Sequence, residues 1–244
     1  MSTITAPTKT DENANSIFDL DLELAPLPTY KAASTTFVDF DGLLDPPLLL
    51  HEDLAQGCGG QLWPAGMMLA GYLLRQKGNE IRAAESIVEL GAGGGLVALA
   101  IALGLKPSCP IHFTDQLPML ALMKRNITLN PSLITPVIPS IYDWGSPVPS
   151  TLATHPDILL AADCVYFEPA FPLLLQTLRD LIGPKTVCYF CFKKRRRADL
   201  SFVKEMKKAF SVQEVLEVGE LGEKWRRDSV FLYIIRQKIT KIER

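Results

Sequence analysis

The 244-residue sequence has no uninterrupted apolar run of the ~18–20 residues that a membrane-spanning helix needs. Residues 87–105 come closest, and Glu89 and five glycines interrupt them. The chain does not open on a basic segment followed by an apolar core, as a secretory signal would, and its first residues are too acidic for a mitochondrial transit peptide. These absences predict a cytoplasmic protein without a membrane partner. Cysteine is scarce: Cys58, Cys109, Cys164, Cys188 and Cys191 form an odd, scattered set and no disulfide framework. Cys188 and Cys191 have CxxC spacing, but residues 186–192 read as a buried strand, on which positions three apart face opposite ways. No second cysteine pair or nearby histidine completes a zinc site, so no metal is expected. A large net charge is missing too. At −2 the molecule is not a binder of nucleic acid by overall electrostatics.

What is present is an ordinary globular composition, 48 % apolar and 21 % charged, which excludes disordered, collagen-like and coiled-coil classes. The charge is unevenly spread. Residues 1–192 carry 10 Lys and Arg against 19 Asp and Glu, whereas residues 193–244 carry 15 against 8. Residues 1–24, rich in Thr, Asn, Asp and Glu, are expected to be a mobile arm, and residues 25–244 one domain with an N-terminal extension. Residues 30–50 suggest a hairpin or loop over the domain edge. Residues 62–74 have helical periodicity, with Pro64 suited to the first turn. A repeating order follows. Strands are predicted over 86–90, 111–114, 137–138, 158–161 and 186–192, helices over 96–103, 117–129, 171–181 and 198–210, and a closing strand pair over 212–218 and 230–235. Alternating strands and helices imply an α/β fold, a mostly parallel sheet covered on both faces.

The strongest chemical signal lies between the first of these strands and its helix, where Gly91, Gly93 and Gly95 follow Glu89 and Leu90. Glycines at such a turn let backbone approach a ligand, and the helix N-terminus receives an anionic group. A dinucleotide fingerprint, GxGxxG, requires a third glycine at position 96, where the chain has Leu96. The spacing here is GxGxG. Asp115 ends the next strand, 24 residues after Gly91, where a carboxylate accepts both hydroxyls of an adenosine ribose. The competing reading of Asp115 is an N-cap for the helix over 117–129.

GxGxG with an acidic residue two positions upstream resembles motif I of the class I, seven-β-strand methyltransferases, which bind S-adenosylmethionine. Three further segments narrow the resemblance: Leu62-Trp63-Pro64-Ala65-Gly66, Asp143-Trp144-Gly145, and Ala161-Ala162-Asp163-Cys164-Val165-Tyr166. With the basic run that begins at Lys193, they look like methyltransferase family 16, the protein-lysine methyltransferases, in order and spacing over about residues 37–236. Asp163 and Tyr166 fit the family's DxxY signature, and Gly94 replaces its usual Thr or Ser. The resemblance implies a Rossmann-like seven-stranded sheet with an antiparallel last strand, S-adenosylmethionine as cofactor, and a protein substrate. Among members it is most similar to the fungal enzymes that modify translation elongation factor 1A. Trp63, Glu89, Gly91, Ala92, Gly93, Asp115, Trp144 and Ala162 fall where the family contacts the cofactor, and Asp163 and Tyr166 at its catalytic, substrate-side signature. Trp144 can present an apolar face to an adenine ring and Trp63 can close over the methionine end. Ordinary core packing is the alternative for each Trp, and capping of the cofactor loop the alternative for Asp163.

The chemistry asks for alignment and a neutral amine. A free lysine is unprotonated in only about one in two thousand molecules at pH 7. An apolar, aromatic mouth lowers its pKa by desolvation, and Asp163 would attract and orient the amine. The base-modifying relatives place Pro-Pro inside this signature, where the chain has Cys164 and Val165. The five cations of residues 193–197 have three competing readings: a solvated helix entrance, a nucleic-acid or nuclear-import patch, and a contact for an acidic region of a protein substrate. The expected molecule is therefore a monomeric protein-lysine methyltransferase. Its rivals are a same-fold enzyme acting on another protein, a nucleic acid or a small molecule, and a non-catalytic cofactor-binding interaction protein.

Overall fold

The computed structural model describes residues 32–216 and 219–238, and the arm expected over residues 1–24 lies outside them. The described chain opens with an antiparallel hairpin, β1 (Ser34–Val38) and β2 (Leu48–Glu52). Helices α1 (Pro64–Gln76) and α2 (Gly78–Ala83) lead into β3 (Ile87–Leu90), α3 (Leu96–Leu105), β4 (Ile111–Asp115), α4 (Leu120–Thr128) and β5 (Val137–Ile141). Then come β6 (Ile158–Ala162), α5 (Phe171–Leu181), β7 (Val187–Lys193), α6 (Arg197–Ala209), β8 (Phe210–Glu214), α7 (Gly219–Arg227) and β9 (Val230–Gln237). The seven later strands form one sheet in the order β5-β4-β3-β6-β7-β9-β8. β3 to β7 are parallel, and β9 runs antiparallel to both its neighbours.

Central parallel strands are covered on both faces and therefore read as continuous apolar runs. All of β3 is buried, and so is β6 up to Ala161. One layer of core joins α1, α3 and α4 to the sheet through Leu69, Leu73, Leu99 and Met123; the other joins α5 and α6 through Leu174, Leu178, Phe202 and Met206. Helix α3 has no polar face because it is enclosed on all sides: every residue from Leu96 to Leu103 is buried. Cys188 and Cys191 lie in opposite layers, as strand alternation requires.

Four details differ from the sequence reading. The helix expected over 117–129 begins as a 3-10 turn, Leu117–Met119, in which the Met119 amide donates to the Gln116 carbonyl three residues back at 3.0 Å, and α4 starts only at Leu120. α2 was not expected: it is six residues long and starts at a glycine, which leaves little periodicity to detect. α7 occupies a segment read as the link between two strands. Among its described side chains Trp225 is the buried aromatic, packed 6.3 Å from Tyr72. The strand expected over 212–218 lies at Phe210–Glu214.

Candidate active site

From β3 the chain builds the sheet outward through β4 to β5, then returns to add β6 and β7 on the other side of β3. At such a switch point the loops beyond the strand ends diverge and leave a crevice. Here it is a cleft of about 800 Å³, and all ten candidate residues line it. Register explains why they meet. Leu90 pairs with Thr114 on one side and Ala161 on the other, so Gly91, Asp115 and Ala162, the next residues along, emerge side by side.

The glycine loop is shaped by backbone. Gly91 and Gly93 have φ of +59° and +54°, a left-handed region that L side chains rarely adopt. A Cβ on Gly93 would lie 2.5 Å from the Gly59 carbonyl oxygen, because residues 57–60 close over the loop. The Ala92 amide donates to the Thr114 carbonyl at 3.0 Å and the Gly93 amide to Asp115 Oδ2 at 2.7 Å. Asp115 Oδ1 accepts from the Gln116 amide at 2.7 Å. The carboxylate is thus anchored to the glycine loop, and the N-cap reading is overturned, for no side chain caps the turn at Leu117. Burial pushes the Asp115 carboxyl up, against the pull of its two amide bonds.

Glu89 is buried, 1 % exposed, and its Oε2 accepts from the Ala98 amide at 2.9 Å. Ala98 lies in the first turn of α3, whose N-cap, Gly95, has no side chain to offer. Glu89 therefore supplies the cap from the preceding strand. Desolvation, outweighing that hydrogen bond, pushes its carboxyl up to about 8, which favours the neutral acid. Asn126, which the sequence reading passed over, ties the loop from the far side. Its Nδ2 donates to the Gly94 carbonyl at 2.8 Å and its Oδ1 accepts from the His51 amide of β2 at 2.8 Å. Asn130, just beyond the end of α4, donates from Nδ2 to the Asn126 carbonyl at 2.7 Å.

Trp144 sits beside the loop: a Cβ on Gly91 would lie 3.0 Å from Trp144 Cζ2. Its turn is held by the Tyr142 amide on the Asp115 carbonyl at 3.0 Å and the Gly145 amide on Thr177 Oγ1 at 2.8 Å. Trp63 precedes α1 and donates from Nε1 to the Cys58 carbonyl at 2.8 Å.

Asp163 directly follows β6 with φ +57° and is only 4 % exposed at its side chain. Its amide donates to the Cys191 carbonyl at 2.8 Å. Its carboxylate accepts from Arg195 Nη1 and Nη2, each at 2.8 Å, and from the Lys193 amide at 3.2 Å. In the sequence Arg195 is one cation in a run of five. Its neighbour Arg196 turns outward, to the Tyr166 carbonyl and to Asp199 at 3.7 Å. Tyr166 is 44 % exposed beside the more exposed Phe167, and burial, with a contribution from Cys58, pushes its phenol above the usual range. Among the described residues no group of three or more His, Cys, Asp or Glu is placed to hold a metal ion, and no helix is long and apolar enough to cross a membrane.

The residues present fit S-adenosylmethionine. The cleft is of ligand size, and Gly91 and Gly93 leave open backbone where a Cβ would collide. Each Asp115 oxygen takes one amide, leaving about two of a carboxylate's four acceptor positions for hydroxyls. Sheet order and cleft together define a class I, Rossmann-like methyltransferase fold. The methyltransferase SibL, solved in its apo form, shares that fold at TM-score 0.51 and 14 % identity, over 68 % of this chain and 54 % of that one. The chain belongs to the lysine methyltransferase family, whose profile matches residues 43–209. It is 33 % identical to the protein-lysine N-methyltransferase EFM6 of Saccharomyces cerevisiae, over 83 % of this chain and 91 % of that protein. It is 33 % identical to the protein N-lysine methyltransferase METTL21A of Danio rerio (65 % and 72 %) and 30 % identical to the EEF1A lysine methyltransferase 3 of Xenopus tropicalis (60 % and 62 %). The protein is an S-adenosylmethionine-dependent protein-lysine N-methyltransferase.

Proposed function

We propose that residues 25–244 form one domain that methylates a lysine of translation elongation factor 1A, acting as a monomer in the cytoplasm. The observation that carries the reading is the continuity of one cleft from Asp115 to Asp163 and Tyr166. The similarity to the EEF1A lysine methyltransferase 3 of Xenopus tropicalis supports the choice of elongation factor. When bound, S-adenosylmethionine supplies an electrophilic methyl on a sulfonium sulfur, which leaves as a neutral thioether while the acceptor nitrogen loses a proton. Asp115 would accept the ribose hydroxyls, Trp144 would cover the adenine, and the open backbone of residues 91–93 would receive the rest, with Trp63 and Ala162 at the methionine end. Tyr166, Phe167 and Trp63 give the other end an aromatic mouth that strips water from an entering lysine and favours its neutral form. Asp163 accepts a hydrogen bond from the amine and aligns its lone pair.

The test is incubation with isotope-labelled S-adenosylmethionine and elongation factor 1A purified from cells lacking this enzyme. Tandem mass spectrometry is expected to find label on a lysine of that factor. Label confined to RNA, metabolites or another protein contradicts the substrate assignment.

A further inference from the structure

Arg195 is built into the cleft rather than solvated on it. Its guanidinium is bidentate on Asp163 and lies 5.0 Å from the centre of the Trp63 ring, and the Arg195 backbone amide donates to Asp199 Oδ2 at 2.7 Å. Of about four acceptor positions on the Asp163 carboxylate, Lys193 and the two guanidinium nitrogens take three. One position, on Oδ2, is left for a substrate N–H.

This arrangement resolves a conflict in the chemistry. A carboxylate suits the alignment of an amine, but within about 4–6 Å it also favours the ammonium and raises the lysine pKa by about 1–3 units. That would deplete an already scarce neutral form about tenfold to a thousandfold. Resting on the reading of Asp163 as the lysine-side group, we propose that Arg195 is a positioning residue that sets the protonation state of the methyl acceptor. Its charge cancels that of Asp163, so the carboxylate orients a neutral amine without trapping the ammonium. The other ionisable groups facing the pair are Asp199 from α6, Cys191 from β7, Cys58 ahead of Trp63, and Cys164 and Tyr166 beside Asp163, with Lys193 and Arg196 flanking Arg195. Asp199 is engaged by the amides of Arg195 and Arg196. Burial pushes Cys164, Cys191 and Tyr166 up, which keeps them uncharged at neutral pH.

The test compares the wild-type chain with Arg195→Gln and Arg195→Lys. Single-turnover transfer of label to the methylated protein band of an enzyme-deficient cell extract is followed from about pH 6.5 to 9.5. Affinity for S-adenosylhomocysteine is measured in parallel by calorimetry. The Gln variant is expected to be about ten- to a hundredfold slower at pH 7 and to recover as pH rises, its rate–pH limb displaced upward by about 1–2 units. The Lys variant keeps the charge and is expected to keep the wild-type limb. All three should bind S-adenosylhomocysteine alike. A loss in the Gln variant that is equal at every pH would mean that Arg195 only holds the loop in shape. Faster methylation by the Gln variant at pH 7 would mean that the guanidinium merely blocks the lysine's place. Either result overturns the proposal. A labelled band other than elongation factor 1A refutes the substrate assignment instead and leaves this comparison intact.

Discussion

Replacing Asp163 by Asn is expected to slow methyl transfer by about a hundredfold or more while leaving affinity for S-adenosylhomocysteine within about twofold of wild type. Asn is the informative choice because Asp163 has φ +57°, a conformation that Asn tolerates better than other non-glycine residues. Its amide oxygen can still accept from Lys193 or Arg195, so the loop is kept. What is lost is the acceptor position offered to the substrate amine and the charge that holds Arg195. The Arg195 side chain is 28 % exposed and can turn to water, so the stability cost is nearer that of a surface pair, about 1 kcal/mol, or a melting shift of about 2–4 °C. A normal rate in this variant would remove Asp163 from the reaction.

Gly93→Ala is expected to weaken S-adenosylhomocysteine binding by about a hundredfold or abolish it. The added Cβ would stand 2.5 Å from the Gly59 carbonyl oxygen, a backbone atom with no rotamer to change. Relief requires the loop or residues 57–60 to move, and either motion disturbs the 2.7 Å bond from the Gly93 amide to Asp115. The anchor of the ribose acceptor would be lost with it. Gly42→Ala is the control. It has φ +80° with nothing within 4 Å of the added carbon, so it carries only the left-handed penalty of about 1–2 kcal/mol. Calorimetry should show unchanged binding in Gly42→Ala and little or none in Gly93→Ala. Equal affinities in the two variants would mean that the glycine loop is a turn without a ligand.

Much of the sheet was legible because its central strands are buried on both faces. Residues 86–90, 158–161 and 186–192 are mostly apolar, and the structure places strands at Ile87–Leu90, Ile158–Ala162 and Val187–Lys193. The cofactor half of the cleft was legible because a glycine turn and an acidic strand end recur at a typical offset within one strand–helix–strand unit, here β3, α3 and β4. The lysine half was less so. Asp163 stood out through its signature, but its pairing with Arg195 depends on what happens 30 residues later. There, β7 runs on to Lys193, Lys194 donates to the Ser229 carbonyl at 2.8 Å, and Asp199 gathers the amides of Arg195 and Arg196 at the start of α6. These contacts turn one cation of five inward, and composition alone cannot single it out. The closure of residues 57–60 over Gly93 and the Asn126 bridge are likewise tertiary. Helix α7 escaped notice because too few apolar residues recur at helical spacing in that segment.

The central claim is that one cleft holds the methyl donor across the ends of β3 and β4 and presents it to a lysine beside Asp163. The most direct measurement is a crystal structure of the chain grown with S-adenosylhomocysteine. Ribose hydroxyls are expected on the Asp115 carboxylate, adenine against Trp144, and the sulfur directed toward Asp163. Density for the compound elsewhere, or a cleft filled by protein side chains with Asp115 out of reach, would contradict it.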